Sequence, residues 1–291
     1  MAPTRSNSTL RLALPTGRMQ AGVLALLHEA GVQVHTTARN YRPAVSIPDV
    51  QAKFLKPQSI VEMLHGGSRD LGFAGRDWVV ELDAELVELF DTGLDPVRMV
   101  AAAPRSLLED GELPQRPLIV ASEYERLSRR WMADRQLDAT FLRAFGATEV
   151  FPPEDADCIV DNTATGSTLA ANDLEIVDEL MTSSTRLYAN PRSLDEPWTR
   201  RRIDDVVTLV RSVIEARRRV MVEVNVTRDR LEALIAVLPA MRRPTVSALH
   251  NGQDLAVKAA VPREELPTII PRLKAAGGTD VVVTNPSQII P

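Results

Sequence analysis

The stretch of sequence that decides the fold is Ala156-Asp-Cys-Ile-Val-Asp-Asn-Thr-Ala-Thr-Gly-Ser-Thr-Leu169. Its first half is apolar, which is typical of a buried strand, and its second half is rich in hydroxyls around one glycine. A helical pattern begins directly after the glycine. A strand that leads straight into a helix is the repeating unit of α/β folds, so the stretch predicts an α/β protein.

The same stretch has the composition of a phosphate-binding turn. Gly166 would let an anion approach the main chain, where backbone N–H groups of the turn carry positive partial charge. Thr165, Ser167 and Thr168 would add hydroxyl donors, and Asp161, at the end of the strand, would accept hydrogen bonds from sugar hydroxyls. The alternative is an ordinary strand-to-helix turn with Ser/Thr capping, so the rest of the chain has to decide.

Upstream, strands alternate with helices, which predicts a parallel sheet. The pattern indicates strands at 10–14, 32–36 and 70–75, with helices that end at Gly31 and His65. Ligands of such sheets collect at the carboxyl ends of the strands. Thr16 to Arg18, Lys56 and Gly75 to Asp77 all fall there.

A second α/β block begins near Val97. It contains predicted strands at 99–103 and 118–122, a predicted helix at about 127–145, and the Cys158 strand; a strand at 183–190 then returns toward the first block. This order predicts two lobes with a ligand-binding cleft between them.

The tail of the chain reads as a separate unit. After a polar stretch at 190–202, an amphipathic helix is predicted from Ile203 to about Arg218. The order that follows is βαββαβ, a ferredoxin-like unit of roughly 70 residues, with Asn251-Gly252 as its hairpin turn.

Composition excludes several classes of function. The 291 residues are 44% hydrophobic and 25% charged with a net charge of -5, which describes a globular chain without the basic footprint of a nucleic-acid-binding protein. Neither a membrane-spanning segment nor a secretory signal is apparent, which predicts a cytoplasmic protein. Cys158 is expected in the core, and the four histidines have no zinc-site spacing.

Five motifs, taken together and in order, resemble those of the ATP phosphoribosyltransferases in their long form, the first enzymes of histidine biosynthesis. They are Leu14-Pro-Thr-Gly-Arg-Met19, Asp70-Leu-Gly-Phe-Ala-Gly-Arg-Asp-Trp-Val79, Ala121-Ser-Glu-Tyr124, the Asp161 loop with Ala170-Ala-Asn172, and Pro244-Thr-Val-Ser247. The resemblance implies two periplasmic-binding-protein-like catalytic lobes and an ACT-like regulatory domain. It implies lobe I at 1–96 and 180–212, lobe II at 97–179 and the regulatory domain at 213–291.

The resemblance also implies a reaction and its partners. N1 of ATP is joined to C1 of phosphoribosyl pyrophosphate with release of pyrophosphate, Mg²⁺ assists, histidine is the effector, and the chain forms homo-oligomers from dimer to hexamer. Chemistry of this kind needs positioning and electrostatic stabilisation rather than a covalent nucleophile.

Site residues follow from the motif positions. The 5-phosphate and the ribose would be bound by Asp161, Thr163, Ala164, Thr165, Gly166, Ser167 and Thr168. Arg18 and Lys56 would bind phosphate groups from the opposite lobe. The effector histidine would be bound by Asn225, Met241 and Thr245. Asp77 would orient ribose or a magnesium-bound water, or cap a helix starting at Trp78. Tyr124 would contact one substrate, or simply pack.

Three positions depart from the family pattern. This chain has Thr16 where many members have a lysine, Lys56 where many have an arginine, and Arg243 where some have a serine. Two other functions remain open at this point. One is a catalytically silent regulatory paralogue, and the other is a two-lobed protein that binds a small molecule without chemistry.

Overall fold

The computed structural model describes residues 9–36, 41–250 and 252–290, so the amino-terminal segment at 1–8 and Asn251 of the predicted hairpin lie outside the described residues. The chain divides into two compact units, 1–25 with 32–204 and 26–31 with 205–291. Among the described helices, none has the length and apolar character needed to cross a membrane.

The first unit is built on an eight-stranded mixed sheet. Its strand order is β4-β1-β5-β10-β6-β9-β7-β8, and β2 and β3 form a separate two-stranded sheet. The strands are β1 (Leu10–Pro15), β2 (Val34–His35), β3 (Ala44–Val45), β4 (Val50–Leu55), β5 (Leu71–Gly75), β6 (Val87–Pro104), β7 (Leu118–Ser122), β8 (Ala139–Arg143), β9 (Cys158–Thr163) and β10 (Leu174–Ala189).

Helices connect these strands and cover the sheet. They are α1 (Arg18–Glu29), α2 (Pro57–His65), α3 (Arg76–Glu81), α4 (Glu125–Asp134), α5 (Ser167–Ala171), α6 (Pro191–Asp195) and α7 (Pro197–Arg218), of which α1 and α7 each continue into the second unit. Gly72 lets α2 lie close to β5, because a Cβ there would be 2.9 Å from the Ile60 side chain. β1 pairs in parallel with β4 and β5, as the alternation of strands and helices predicted.

The two long strands β6 and β10 run antiparallel through the middle of the sheet. Both predicted lobe boundaries, at 96/97 and 179/180, fall inside these strands rather than in loops. Five register shifts interrupt their pairing, two of them beside Thr185. Shifts of this kind bend a strand pair, so the sheet bends where it passes between its two ends.

The predicted helix at 127–145 is wrong in its second half. α4 ends at Asp134, Gln136 takes a left-handed φ of 55°, and the chain continues as edge strand β8, parallel to β7. A left-handed residue cannot continue a right-handed helix. Thr140 and Phe141 then favour the extended conformation that the helical spacing concealed.

Two further predictions need correction. The segment at 32–36 contributes only β2, which pairs with β3; the neighbour of β1 in the large sheet is β4, which the pattern did not identify as a strand. The polar stretch at 190–202 is largely helical, because Pro191 and Pro197 each begin a helix at the position where proline is favoured.

The second unit has the element order β11 (Arg219–Thr227), α8 (Leu231–Ile235), β12 (Thr245–Ala248), β13 (Asp254–Pro262), α9 (Leu266–Ala275) and β14 (Thr279–Thr284). This is the βαββαβ order that the sequence predicts. The strands form an antiparallel sheet in the order β12-β13-β11-β14. Alternate residues of β11 and β13 are buried against Leu234, Ile269 and Leu273, so the unit has its own core.

Candidate active site

The predicted phosphate turn has the expected local structure. β9 ends at Thr163, α5 begins at Ser167, and Gly166 between them has a φ of 81°. The Gly166 N–H donates to Oγ1 of Thr163 at 2.9 Å, and the Thr165 hydroxyl donates to Oγ of Ser167 at 3.0 Å. These bonds order the turn, while Ala164, Thr165, Ser167 and Thr168 stay exposed.

Asp161 is held at the end of β9 by neighbouring donors. Its carboxylate accepts hydrogen bonds from the Thr148 hydroxyl and from the N–H of Asn162. Burial raises the pKa of the Asp161 carboxyl, and the negative charges of Glu149 and Glu123 act in the same direction. The Asp161 carboxylate therefore carries its charge in an unfavourable environment, which further hydrogen-bond donors would relieve.

A cavity of about 440 Å³ lies at the carboxyl ends of β1, β4 and β5. Four of the predicted site residues, Arg18, Lys56, Asp77 and Tyr124, line it together. The rest of its lining consists of Thr16, Gly17, Met19, Pro57, Gln58, Gly75, Trp78, Asp95, Val97, Glu123, Asn162, Ser183, Ser184 and Thr185.

The predicted turn residues 163–168 and Asp161 are not among the described residues that line this cavity. Asn162 links the two places, because its side-chain amide donates to Oη of Tyr124 at 3.1 Å and to Oδ1 of Asp161 at 3.2 Å. The loop and the cavity are thus adjacent parts of one polar region.

Asp77 is buried, with 6% of its surface exposed, and both of its carboxylate oxygens accept hydrogen bonds. The Ser183 hydroxyl donates to Oδ1 at 2.6 Å, and the Tyr124 hydroxyl donates to Oδ2 at 2.9 Å. The helix-capping alternative for Asp77 is wrong, because α3 begins at Arg76 and its N-cap residue is Gly75.

Tyr124 packs in this arrangement. Its ring is 2% exposed and stacks on Trp78, with the ring centroids 4.4 Å apart. Burial and the adjacent Asp77 carboxylate raise the pKa of the Tyr124 hydroxyl, so it stays protonated and donates to Asp77 at any physiological pH. Tyr124 forms part of the cavity wall with its polar edge already occupied.

The two predicted cations are exposed at the cavity. Arg18 is the first residue of α1 and Lys56 directly precedes α2. Thr16 also lines the cavity, and its hydroxyl donates to the carbonyl of Leu55 at 3.3 Å. Exposed cations suit a polyanionic ligand, because both side chains form charge-assisted hydrogen bonds with phosphate oxygens.

The sequence did not single out Asp95, Glu123, Asn162, Ser183 or Thr185, which also line the cavity. Asp95 has a left-handed φ of 48°, and its carboxylate accepts from the Thr185 hydroxyl at 2.9 Å. The one available signal was the run of hydroxyls at 182–185. Its position at the cavity depends on the pairing of Thr185 with Gly75, which no local pattern specifies.

The three predicted effector residues lie in the second unit. The Asn225 amide, in β11, donates to Oδ2 of Asp280 at 3.1 Å. The Met241 N–H donates to the carbonyl of Ala260, and Thr245 is the exposed first residue of β12.

Comparisons with known proteins give the same family over most of the chain. A family profile described as ATP phosphoribosyltransferase matches residues 56–212, and another, described as the C-terminal domain of HisG, matches residues 216–287. Two relatives named ATP phosphoribosyltransferase are similar almost end to end. The one from Solibacter usitatus is 36% identical over 286 residues, 97% of this chain and 99% of the relative, and the one from Chlorobium luteolum is 34% identical over 292 residues, 99% of each.

A solved structure has a similar fold. It is the ATP phosphoribosyl transferase (HisG:HisZ) complex from Thermotoga maritima, 27% identical, with a TM-score of 0.64 over 71% of this chain and 99% of that chain. Together the comparisons define the class of protein: this chain is an enzyme, a phosphoribosyltransferase. It belongs to the ATP phosphoribosyltransferase family, which confirms the resemblance found in its motifs.

Proposed function

We propose that this chain joins N1 of ATP to C1 of phosphoribosyl pyrophosphate and releases pyrophosphate, as the first step of histidine biosynthesis. Family membership over nearly the whole chain supports the reaction. The observation that carries it is the cavity lined by exposed Arg18 and Lys56 together with buried Asp77 and Tyr124. The exposed cations suit polyanions, and the buried pair forms a fixed part of the cavity wall, because hydrogen bonds from Ser183 to Asp77 and from Asn162 to Tyr124 hold it in place.

The phosphoribosyl group is assigned to the β9–α5 turn. Thr165, Gly166, Ser167 and Thr168 hold the 5-phosphate, with Thr163 and Ala164 leading into the turn, and Asp161 accepts from the ribose hydroxyls. The exposure of the hydroxyls and the left-handed Gly166 support this assignment. Asp161 gains from it, because ribose hydroxyls donate to a carboxylate that already lies near Glu149 and Glu123.

The leaving pyrophosphate is assigned to Arg18, Lys56 and a divalent metal ion. Enzymes of this family need such an ion, and we assign it as Mg²⁺. Mg²⁺ is commonly bound through substrate phosphates and keeps several of its waters, so we propose that it arrives on the pyrophosphate. Asp77, Asp95 and Glu123 are the cavity carboxylates that would face it. The ion would neutralise charge on the leaving group.

We further propose that the chain consists of two catalytic lobes and one regulatory domain. Residues 1–96 with 180–212 form catalytic lobe I, residues 97–179 form lobe II with a periplasmic-binding-protein-like cleft, and residues 213–291 form the regulatory domain. The βαββαβ order and separate core of the second unit support a ferredoxin-like, ACT-like module. Histidine binds it near Asn225, Met241 and Thr245, in a cytoplasmic homo-oligomer between dimer and hexamer.

The reaction is tested directly. Purified chain is incubated with ATP, phosphoribosyl pyrophosphate and Mg²⁺ while ultraviolet absorbance is followed for N1-ribosylated adenine. Turnover supports the proposal. Histidine binding without turnover would indicate the silent regulatory paralogue, and binding of one small molecule without either would indicate the two-lobed binding protein.

The regulatory assignment has its own test. Isothermal titration calorimetry should detect histidine binding to the intact chain, and histidine should inhibit turnover. Thr245→Arg, at an exposed position where the longer side chain is tolerated, should lose inhibition while retaining turnover. A chain that ends near Arg218 should likewise lose inhibition. If the intact chain binds no histidine, the tail serves assembly instead.

A further inference from the structure

Helix α3 presents two buried carboxylates to the start of α4. Asp77 and Glu81 lie one turn apart on the same face of α3, with 6% and 7% of their surfaces exposed. Asp77 accepts from the Tyr124 hydroxyl, whereas Glu81 accepts from the main chain. Its Oε1 accepts from the N–H of Arg126 and its Oε2 from the N–H of Leu127, each at 3.0 Å.

Glu81 therefore supplies the N-terminal cap of α4 from another helix. The first N–H groups of a helix have no partner within the helix, and a carboxylate there also meets the positive end of the helix dipole. Among the described residues, the N-cap residue Tyr124 makes no side-chain cap bond. The carboxylate of Glu81, 45 residues earlier in the chain, satisfies two of these donors.

The contact joins distant parts of the sheet. α3 follows β5 and α4 follows β7, and three strands, β10, β6 and β9, lie between β5 and β7. The two helices are nevertheless in contact, since the carboxylate of Glu81 in α3 accepts from the main chain of α4. Trp78 of α3 then stacks on Tyr124, and Asp83 pairs with Arg126 at 3.1 Å on the exposed edge of the contact.

We propose that Glu81 is a positioning residue for the reaction. By capping α4 it holds Tyr124 against Asp77 and Trp78, and so keeps the two ends of the sheet in the arrangement that forms the cavity wall. Glu81 is not among the described residues that line the cavity. The inference rests on the proposed function in one respect, that substrates bind in this cavity.

The consequence is a change in substrate affinity rather than in chemistry. In Glu81→Gln, α4 loses the negative charge and one of its two capping acceptors, because an amide nitrogen cannot accept a hydrogen bond. The arrangement in which α3 and α4 are in contact is then less populated before substrate binds. The apparent affinity falls by the fraction of competent molecules, and saturating substrate restores the arrangement. We expect Glu81→Gln to raise KM by about tenfold while kcat stays within about twofold.

The experiment compares Glu81→Gln with Asp83→Asn in the full-length chain. Asp83 makes an exposed ion pair at the same helix contact and has a left-handed φ of 49°, which asparagine tolerates. The second readout is fluorine NMR of protein labelled with 5-fluorotryptophan. The chain has three tryptophans, and Trp78→Phe identifies the resonance of Trp78.

Glu81→Gln should shift the Trp78 resonance and raise KM, and Asp83→Asn should do neither. An unshifted Trp78 resonance, an unchanged KM, or equal effects in both variants would overturn the proposal. Should Glu81→Gln not fold, Glu81→Asp decides in the same way, because it keeps the charge but withdraws the carboxylate by one methylene. The fluorine NMR measurement needs no turnover. It therefore distinguishes a failure of the proposed role of Glu81 from a failure of the proposed reaction.

Discussion

The hydroxyl of Ser183 donates to Oδ1 of Asp77 at 2.6 Å, and the N–H of Asp77 donates to the same hydroxyl oxygen at 3.1 Å. This reciprocal pair joins β10 to the first turn of α3, although 106 residues separate the two positions. It fixes one carboxylate oxygen of Asp77 and turns the other toward Tyr124. The orientation of Asp77 is therefore set by two separate parts of the chain.

The first prediction is that Gly75→Ala disrupts Asp77. Gly75 has an ordinary φ of -73°, but an added Cβ would overlap Oδ1 of Asp77, so the carboxylate has to leave its place between Ser183 and Tyr124. We expect kcat/KM to fall by about 10- to 100-fold, the cost of misplacing a positioned group. Steady-state kinetics measures this.

Gly22→Ala is the matched control for that substitution. Gly22 lies within α1, and a Cβ there would sit 3.5 Å from Oδ2 of Asp95, an ordinary contact. Alanine is also the better helix former. Gly22→Ala should keep its activity and its stability; a Gly75→Ala enzyme as active as Gly22→Ala would remove Asp77 from the proposed catalytic groups.

The second prediction concerns the charge of Lys56. Lys56 is exposed at the cavity, next to the amino end of α2. Lys56→Ala should raise KM for phosphoribosyl pyrophosphate by about tenfold, whereas Lys56→Arg should retain the wild-type value because guanidinium also binds phosphate. The difference should shrink as salt rises. Unchanged kinetics in Lys56→Ala would make this residue a surface cation.

The third prediction tests the β9–α5 turn. At Gly166 a Cβ would have room, since its nearest contact is Cδ1 of Ile176 at 3.9 Å, but the φ of 81° is strained for any β-branched residue. Gly166→Val should rebuild the turn and raise KM for phosphoribosyl pyrophosphate at least tenfold. Cys158→Ser, in the strand before the turn, should change it by a few-fold at most. Normal affinity in Gly166→Val would refute the assignment of the turn.

The parts of the fold that the sequence predicted correctly have strong local signals. β1, β5 and β9 are mostly apolar, and each ends at a proline, a glycine or a group of hydroxyls. The element order of the second unit was predicted correctly because the period-2 patterns of β11 and β13 and the helix signals agree with one another, although α8 ends at Ile235 rather than continuing through Leu238. The helix at 127–145 failed because Leu137 and Phe141 continue a helical spacing across the left-handed Gln136.

The sequence predicted those residues of the candidate site that directly follow the ends of parallel strands. Arg18, Lys56 and Asp77 were expected at one edge because parallel strands end together. Ser183 and Thr185 come from the antiparallel strand β10, where five register shifts interrupt the pairing with β6, and a shift by one residue reverses which side chains share a face. Glu81 carries no local signal, because its role as the cap of α4 depends on the contact of two helices that follow strands far apart in the sheet.

The fourth prediction uses Cys158 to report ligand binding. The side chain is fully buried, and burial raises the pKa of the thiol to about 12, so at pH 8 only about one thiol in ten thousand is ionised. Labelling by a disulfide reagent should require unfolding. At 100 times its Kd, phosphoribosyl pyrophosphate should slow labelling about 100-fold. In guanidinium chloride, one thiol per chain should react. Fast labelling of the folded protein at a rate that phosphoribosyl pyrophosphate does not change would contradict the prediction.

The last prediction is that Asp161→Asn stabilises the protein while it removes activity. The folded-state pKa of Asp161 is raised, chiefly by burial, so the folded chain binds this proton more tightly than the unfolded chain does. The free energy of unfolding then falls as pH rises from the ordinary carboxyl pKa of the unfolded chain through the raised pKa of the folded chain. This loss of stability persists at neutral pH.

Asparagine removes that loss, and the Thr148 hydroxyl can turn to accept from its amide. At pH 7 we expect a higher Tm than that of wild type, with the difference disappearing near pH 4, the ordinary carboxyl pKa. Thermal melts between pH 4 and 7 measure it. Turnover should fall at least tenfold, because a neutral amide accepts more weakly from the ribose hydroxyls. A Tm difference that is negative, or the same at every pH, would show that the Asp161 carboxylate is not destabilised in the folded chain.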